Sequence, residues 1–131
     1  MTGTTTPDPA AEADRRQRRA AGQAVLDRLA EPYQDHPAAG RSRMFGSEAL
    51  TAHGKIVAFV DGEGALVVKL PATRAAELVA AGDAVPMTIG RSPAKEWVGV
   101  AAPAADADPH PWVPLLADGF DYVESLASPE R

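Results

Sequence analysis

The sequence predicts an α+β domain of two layers, an antiparallel sheet of about five strands with helices packed on one face. Three observations lead there. The chain has 131 residues, one domain's worth, since domains most often run to roughly 100–150 residues. Helix-period and strand-like stretches follow one another as helix, three strands, helix, two strands, helix. The links between neighbouring strands are of hairpin length, which suits antiparallel pairing and argues against a doubly wound parallel sheet.

Each element has its own reason. Residues 1–10 are mostly Thr, Pro, Ala and Asp without an apolar period and read as a disordered tail before a single domain over 11–131. A first helix is predicted over 11–31, closed by Pro32. Ala21, Ala24, Val25 and Leu29 recur at helical spacing and form its expected inward stripe. Glu12 and Asp14 precede Arg16 and Arg18 by four residues, the favourable acid-first order. Residues 37–43 read as a linker, and residues 44–50 as a first strand. Residues 55–60 (Lys-Ile-Val-Ala-Phe-Val) and 65–70 (Ala-Leu-Val-Val-Lys-Leu) are rich in β-branched residues. The intervening Asp61-Gly62-Glu63-Gly64 supplies the positive φ of a hairpin turn.

Pro71 suits the opening of a second helix over 72–81, with Ala75, Leu78 and Val79 inward and Gly82 as its stop. Two short strands, 85–89 and 96–101, flank Gly90-Arg91-Ser92-Pro93. After a polar loop over 103–111, a third helix runs from about Pro114 to about Leu126. Its apolar face carries Leu115, Leu116, Gly119, Phe120, Tyr122, Val123 and Leu126. With all helices on one side of the sheet, Leu66, Val68 and Leu70 belong to the core. Val67 and Lys69 then point to an open face, both as exposed residues.

Composition limits the chemistry. Hydrophobic residues make up 45% and charged residues 24%, enough apolar content for a core without staples. The absence of Cys excludes thiol catalysis, Cys-ligated zinc, iron–sulfur clusters and disulfides. No apolar run reaches the roughly 18 residues of a membrane helix, and the first residues lack a signal-peptide pattern, so a cytoplasmic protein is expected. The net charge of −5 is uneven: residues 1–43 carry seven Arg against six acids, whereas residues 101–131 carry Arg131 against six. A body dedicated to nucleic acid shows a basic excess, which this chain lacks.

The motifs are equally restrictive. Gly62-x-Gly64 lacks the third glycine of a dinucleotide fingerprint and joins strand to strand. Around Gly54-Lys55, Ala49 and Ile56 stand where a phosphate loop needs Gly and Ser/Thr. Asp106, Asp108 and His110 alternate and suggest a divalent-ion site and a metal-dependent hydrolase; a solvated acidic loop is the simpler reading. Ser47 and Ser92 lie in no nucleophile elbow, and His36 and His53 sit in predicted loops. No catalytic set and no cofactor follow. Arg15, Arg16, Arg18 and Arg19, with Arg41 and Arg43, are the candidate nucleic-acid contacts; the solvated side of an amphipathic helix is the competing reading of the first four. Trp97 and Trp112 are expected to pack in or near the core.

Met44-Phe45-Gly46-Ser47, the Gly54 hairpin entry, Leu66-Val67-Val68-Lys69, the Gly82…Pro86-Met87 stretch, Glu96-Trp97-Val98-Gly99-Val100 and Trp112…Tyr122-Val123 occur in an order that resembles the N-terminal domain of the TfoX/Sxy competence regulators. The resemblance spans about residues 41–127. Ser47 departs from it where a second Gly is common, and Leu50 where an aromatic residue is frequent. It implies a two-layer α+β fold and a non-enzymatic regulatory or interaction role, in that family tied to transcription of competence genes. It offers no catalytic residues. The expected working surface is Met44, Phe45, Gly46, Val67 and Lys69, facing a protein partner. DNA binding by a transcriptional regulator is the alternative.

Overall fold

The computed structural model describes residues 9–44, 46–89, 92–102 and 110–127. Helix α1 (Pro9–Ala30) runs into a 3-10 turn (Glu31–Tyr33) opened by Pro32. Four strands follow, β1 (Ala39–Met44), β2 (Ser47–Ala52), β3 (Lys55–Val60) and β4 (Leu66–Lys69). Helix α2 (Ala72–Ala80), strands β5 (Val85–Ile89) and β6 (Ser92–Val100), and helix α3 (Trp112–Ala127) complete the described elements. The α+β class and the antiparallel sheet are as the sequence predicts, with six strands in the order β1-β2-β3-β4-β6-β5.

The additional strand comes from the linker. Residues 44–50 are not one strand: Met44 ends β1, residues 47–50 belong to β2, and Met44 pairs with Ser47 across a turn in which Gly46 takes a φ of 78°. Strand β1 reads Ala-Gly-Arg-Ser-Arg-Met, with little β propensity. It is an edge strand whose exposed Arg and Ser residues discourage pairing with another chain. The helical start at Pro9 shortens the expected tail, and β6 begins at Ser92 where a turn is predicted.

The β3–β4 hairpin follows the sequence closely. Val60 pairs with Leu66 and Ala58 with Val68. Asp61 Oδ1 accepts hydrogen bonds from the N–H groups of Glu63 (2.9 Å) and Ala65 (3.0 Å), closing the turn around Gly64 at φ 83°. Helix α2 ends in a Schellman arrangement: the N–H of Asp83 reaches Leu78 O (2.9 Å) and that of Gly82 reaches Val79 O (3.1 Å).

All three helices cover one face of the sheet. Leu26 of α1, Ala75 and Leu78 of α2, and Leu115, Leu116, Phe120 and Val123 of α3 share one core with Leu50, Val60, Leu66, Val68 and Val98. A one-residue shift in register opposite Leu50/Thr51 leaves Val57 without a partner in β2, and Val57 joins this core beside Ala58. Gly119 brings α3 down onto it: a Cβ there would lie 2.8 Å from Val68 Cγ2 and 3.0 Å from Lys69 O.

The stripe of α1 is rotated from the predicted one. Gly22, Leu26 and Ala30 are buried, Val25 and Leu29 are half-buried, and Ala21 and Ala24 face solvent. The reason is a backbone contact, because a Cβ on Gly22 would stand 2.5 Å from Gly64 O in the β3–β4 turn. On α3, Leu126 lies outside the core, 55% exposed.

Candidate functional site

The register fixes what the opposite face carries. Phe59 pairs with Val67, and Lys69 pairs with Trp97, so all four project away from the helices. Thr51 and Ile56 pair on the same side. Val67 is not exposed as predicted: at 2% exposure it forms the floor between its larger neighbours. Phe59 flanks it on one side; across it, Gly99 leaves room that Met87 Sδ and Val85 Cγ2 approach. The Phe59 and Trp97 rings stand 6.3 Å apart, tilted by 56°.

A cleft of about 390 Å³ opens here, lined by Met44, Lys55, Ile56, Lys69, Trp97, Val123 and Leu126. It joins the ends of three strands to the last turns of α3. Two predicted surface residues, Met44 and Lys69, meet in it. Gly46 sits exposed in the β1–β2 turn against Arg19, Val67 is buried below, and Phe45 lies outside the described residues. Lys55, Ile56 and Trp97 were not legible as site residues, since only the pairing of β3, β4 and β6 brings them together.

The polar corner of the cleft is built around Glu96. Tyr122 donates its hydroxyl to Glu96 Oε2, and that bond, ahead of burial, raises the phenol above its ordinary range. Lys69 Nζ stands 3.7 Å from Glu96 Oε1 and 5.8 Å from the centre of the Trp97 ring, a cation–π contact. Lys55 is exposed and has no ion-pair partner among the described residues. Apolar walls with two ammonium groups can hold an anion that carries an apolar body.

The other candidates are dispersed or already engaged. Arg15 and Arg18 both grip Glu63, at 3.0 and 2.6 Å, and the Arg18 hydrogen bond chiefly holds that carboxyl below its usual range. The acid-first pairing predicted within the helix gives way, for Arg18, to this tertiary contact. Arg41 pairs with Asp27 at 2.8 Å and Arg43 with Glu48 at 3.1 Å. Four of the six candidate nucleic-acid contacts therefore face carboxylates of the same chain.

Asp106 and Asp108 lie outside the described residues. His110 is buried against Trp112, and its Nδ1 accepts the Trp112 N–H at 3.1 Å. Burial first, with Arg28 adding, lowers its pKa. Trp112 itself is fully buried and donates Nε1–H to Ala101 O. Ser47 is buried too, donating to Gln23 Oε1 (2.6 Å) and accepting from Val60 N–H (3.1 Å). Its hydroxyl positions a strand. His36 and His53 converge on Glu124 Oε2, at 3.9 and 3.8 Å, from two different loops. His36 Nδ1 accepts the Ala38 N–H at 3.0 Å, so a neutral ring points Nε2–H at the carboxylate. That tautomer suits an ion-pair or hydrogen-bond role, and no group of metal ligands forms among the described residues.

No helix among the described residues is long and apolar enough to cross a membrane. Compared with protein-family models, curated proteins and solved structures, the chain has no significant match in any of the three.

Proposed function

We propose that the protein is a cytoplasmic, non-enzymatic regulatory and interaction module of the TfoX/Sxy N-terminal type, working through the sheet face opposite its helices. One observation carries the reading: at the end of that face a cleft brings Met44, Lys69 and Trp97 together beside the last turns of α3. The motif order in the sequence and the α+β architecture accord with it. The protein partner docks on the rim of this face, with Lys69 and Lys55 as its charged contacts. DNA is the weaker alternative, because Arg15, Arg18, Arg41 and Arg43 already face carboxylates.

The test compares capture from native lysate by the wild-type chain and by Lys69→Glu. Val67 is left intact because it is buried. The variant is expected to remain folded, at a lowered melting temperature because the new carboxylate faces Glu96, and to lose the captured chain. Undiminished capture by the folded variant overturns the assignment of the surface. A gel shift with duplex DNA that weakens steeply with salt overturns the protein-partner reading in favour of nucleic acid.

A further inference from the structure

We infer that the cleft at the end of the open sheet face is a binding site for a small organic acid, a monoanion with an apolar body. This goes beyond a protein partner and does not depend on one. Size comes first. The cleft's 390 Å³ falls within the roughly 300–1,000 Å³ typical of small-molecule sites. Its walls are Met44, Ile56, Trp97, Val123 and Leu126, side chains that would cover an alkyl or aryl body.

Charge selects the head group. Lys69 is half-buried, its side chain 27% exposed, and its nearest carboxylate oxygen lies at 3.7 Å, beyond hydrogen-bond distance. The second oxygen of Glu96 is held by Tyr122. Among the described residues no acceptor lies within hydrogen-bond distance of the Lys69 ammonium, which keeps its three donors available to a ligand. Lys55 adds a second ammonium with no counter-ion among those residues. Against these two cations the polar corner sets one carboxylate, Glu96, already bonded on one side. One further negative charge balances it. A carboxylate between Lys55 and Lys69 supplies that charge and the missing acceptors, while its tail lies along Ile56 and the Trp97 indole. A cationic amphiphile meets two like charges instead.

The site contains its own reporter. Trp97 lines the cleft and Trp112 is fully buried in the core, so a ligand changes the emission of one of two indoles. The probe is decanoate, kept below its micelle concentration and titrated into the full chain. A saturable change in fluorescence is expected, and Trp97→Phe is expected to abolish it. Lys69→Met and Lys55→Met are each expected to weaken binding by about tenfold or more, the loss of a charge-assisted hydrogen bond. Decanol is expected to bind more weakly by a similar factor, and decyltrimethylammonium not to bind. Absence of a saturable change overturns the inference, as does equal affinity for decanoate and decanol. Should Lys69→Met unfold, Lys55→Met carries the test alone, because Lys55 is exposed. Undiminished decanoate binding by a folded Lys55→Met then overturns the role of the ammonium pair. Because no lysate enters this titration, its outcome is separate from that of the capture experiment.

Discussion

The two faces of the sheet are written in alternate residues of the same strands, yet they follow different rules. Beneath the helices, Leu50, Ala58, Val60, Leu66, Val68 and Val98 are all apolar and at most 2% exposed. On the reverse face the same strands carry Ile56, Phe59, Lys69 and Trp97, which are half-buried and chemically mixed. One face is specified by packing, the other by what it leaves available. Val67 shows that facing and exposure are separate properties, since it belongs to the second face by register and to the interior by burial.

Substitutions chosen from the two faces sharpen this contrast. Leu66→Ala removes a fully buried side chain from the helix-covered face, and a loss of about 2–5 kcal/mol is expected in chemical denaturation. A loss below 1 kcal/mol would mean that the layer beneath the helices is loosely packed. Gly22→Ala probes the seam between α1 and the β3–β4 turn. With Gly64 O only 2.5 Å from the new Cβ, helix and turn must separate, at about 1–3 kcal/mol. Alanine is otherwise the better helix former by roughly 1 kcal/mol. A stabilised Gly22→Ala protein would contradict the close approach.

Acidification reads the helix-covered side through His110. Its pKa is lowered in the folded protein, so below the ordinary value of 6.5 the unfolded chain takes up the proton first. Stability from this group is full above pH 6.5 and declines as pH falls through the lowered folded value. The melting temperature of His110→Asn, whose side chain can still accept from the Trp112 N–H, is expected to decline less over that interval. Equal slopes would remove His110 as the source. The smallest effect belongs to the open face: Lys69→Met is expected to move stability by less than about 0.5 kcal/mol, its cost limited to a long ion pair and one cation–π contact.

Legibility in the sequence divides along similar lines. The β3–β4 hairpin was readable almost to the residue, because β-branched runs and the Asp-Gly-Glu-Gly turn state the same local preference. Pro71 and Gly82 likewise marked α2 from both ends. Strand β1 was not readable: Ala-Gly-Arg-Ser-Arg has no strand signature, and pairing with β2 imposes its conformation. The inward stripe of α1 was missed because glycine carries no hydrophobic signal, although Gly22 makes the closest approach. Of the cleft, Met44 and Lys69 were named from pattern, whereas Lys55, Ile56 and Trp97 become neighbours only through register. The convergence of His36 and His53 on Glu124 is likewise tertiary and left no trace in spacing.

The strand order also sets a timetable for assembly. Every neighbouring pair except one joins consecutive strands; the exception is β4 with β6, from Leu66 with Val100 to Lys69 with Trp97. Closing that seam brings together segments roughly thirty residues apart, whereas each hairpin closes over a few, and loop entropy delays the distant pairing. The protein is thus two local pieces, a four-stranded meander and a hairpin, that meet along one line. Late closure means that Val98→Ala speeds unfolding and leaves the folding rate nearly unchanged. A slowed folding arm in its chevron would instead place this seam in the nucleus.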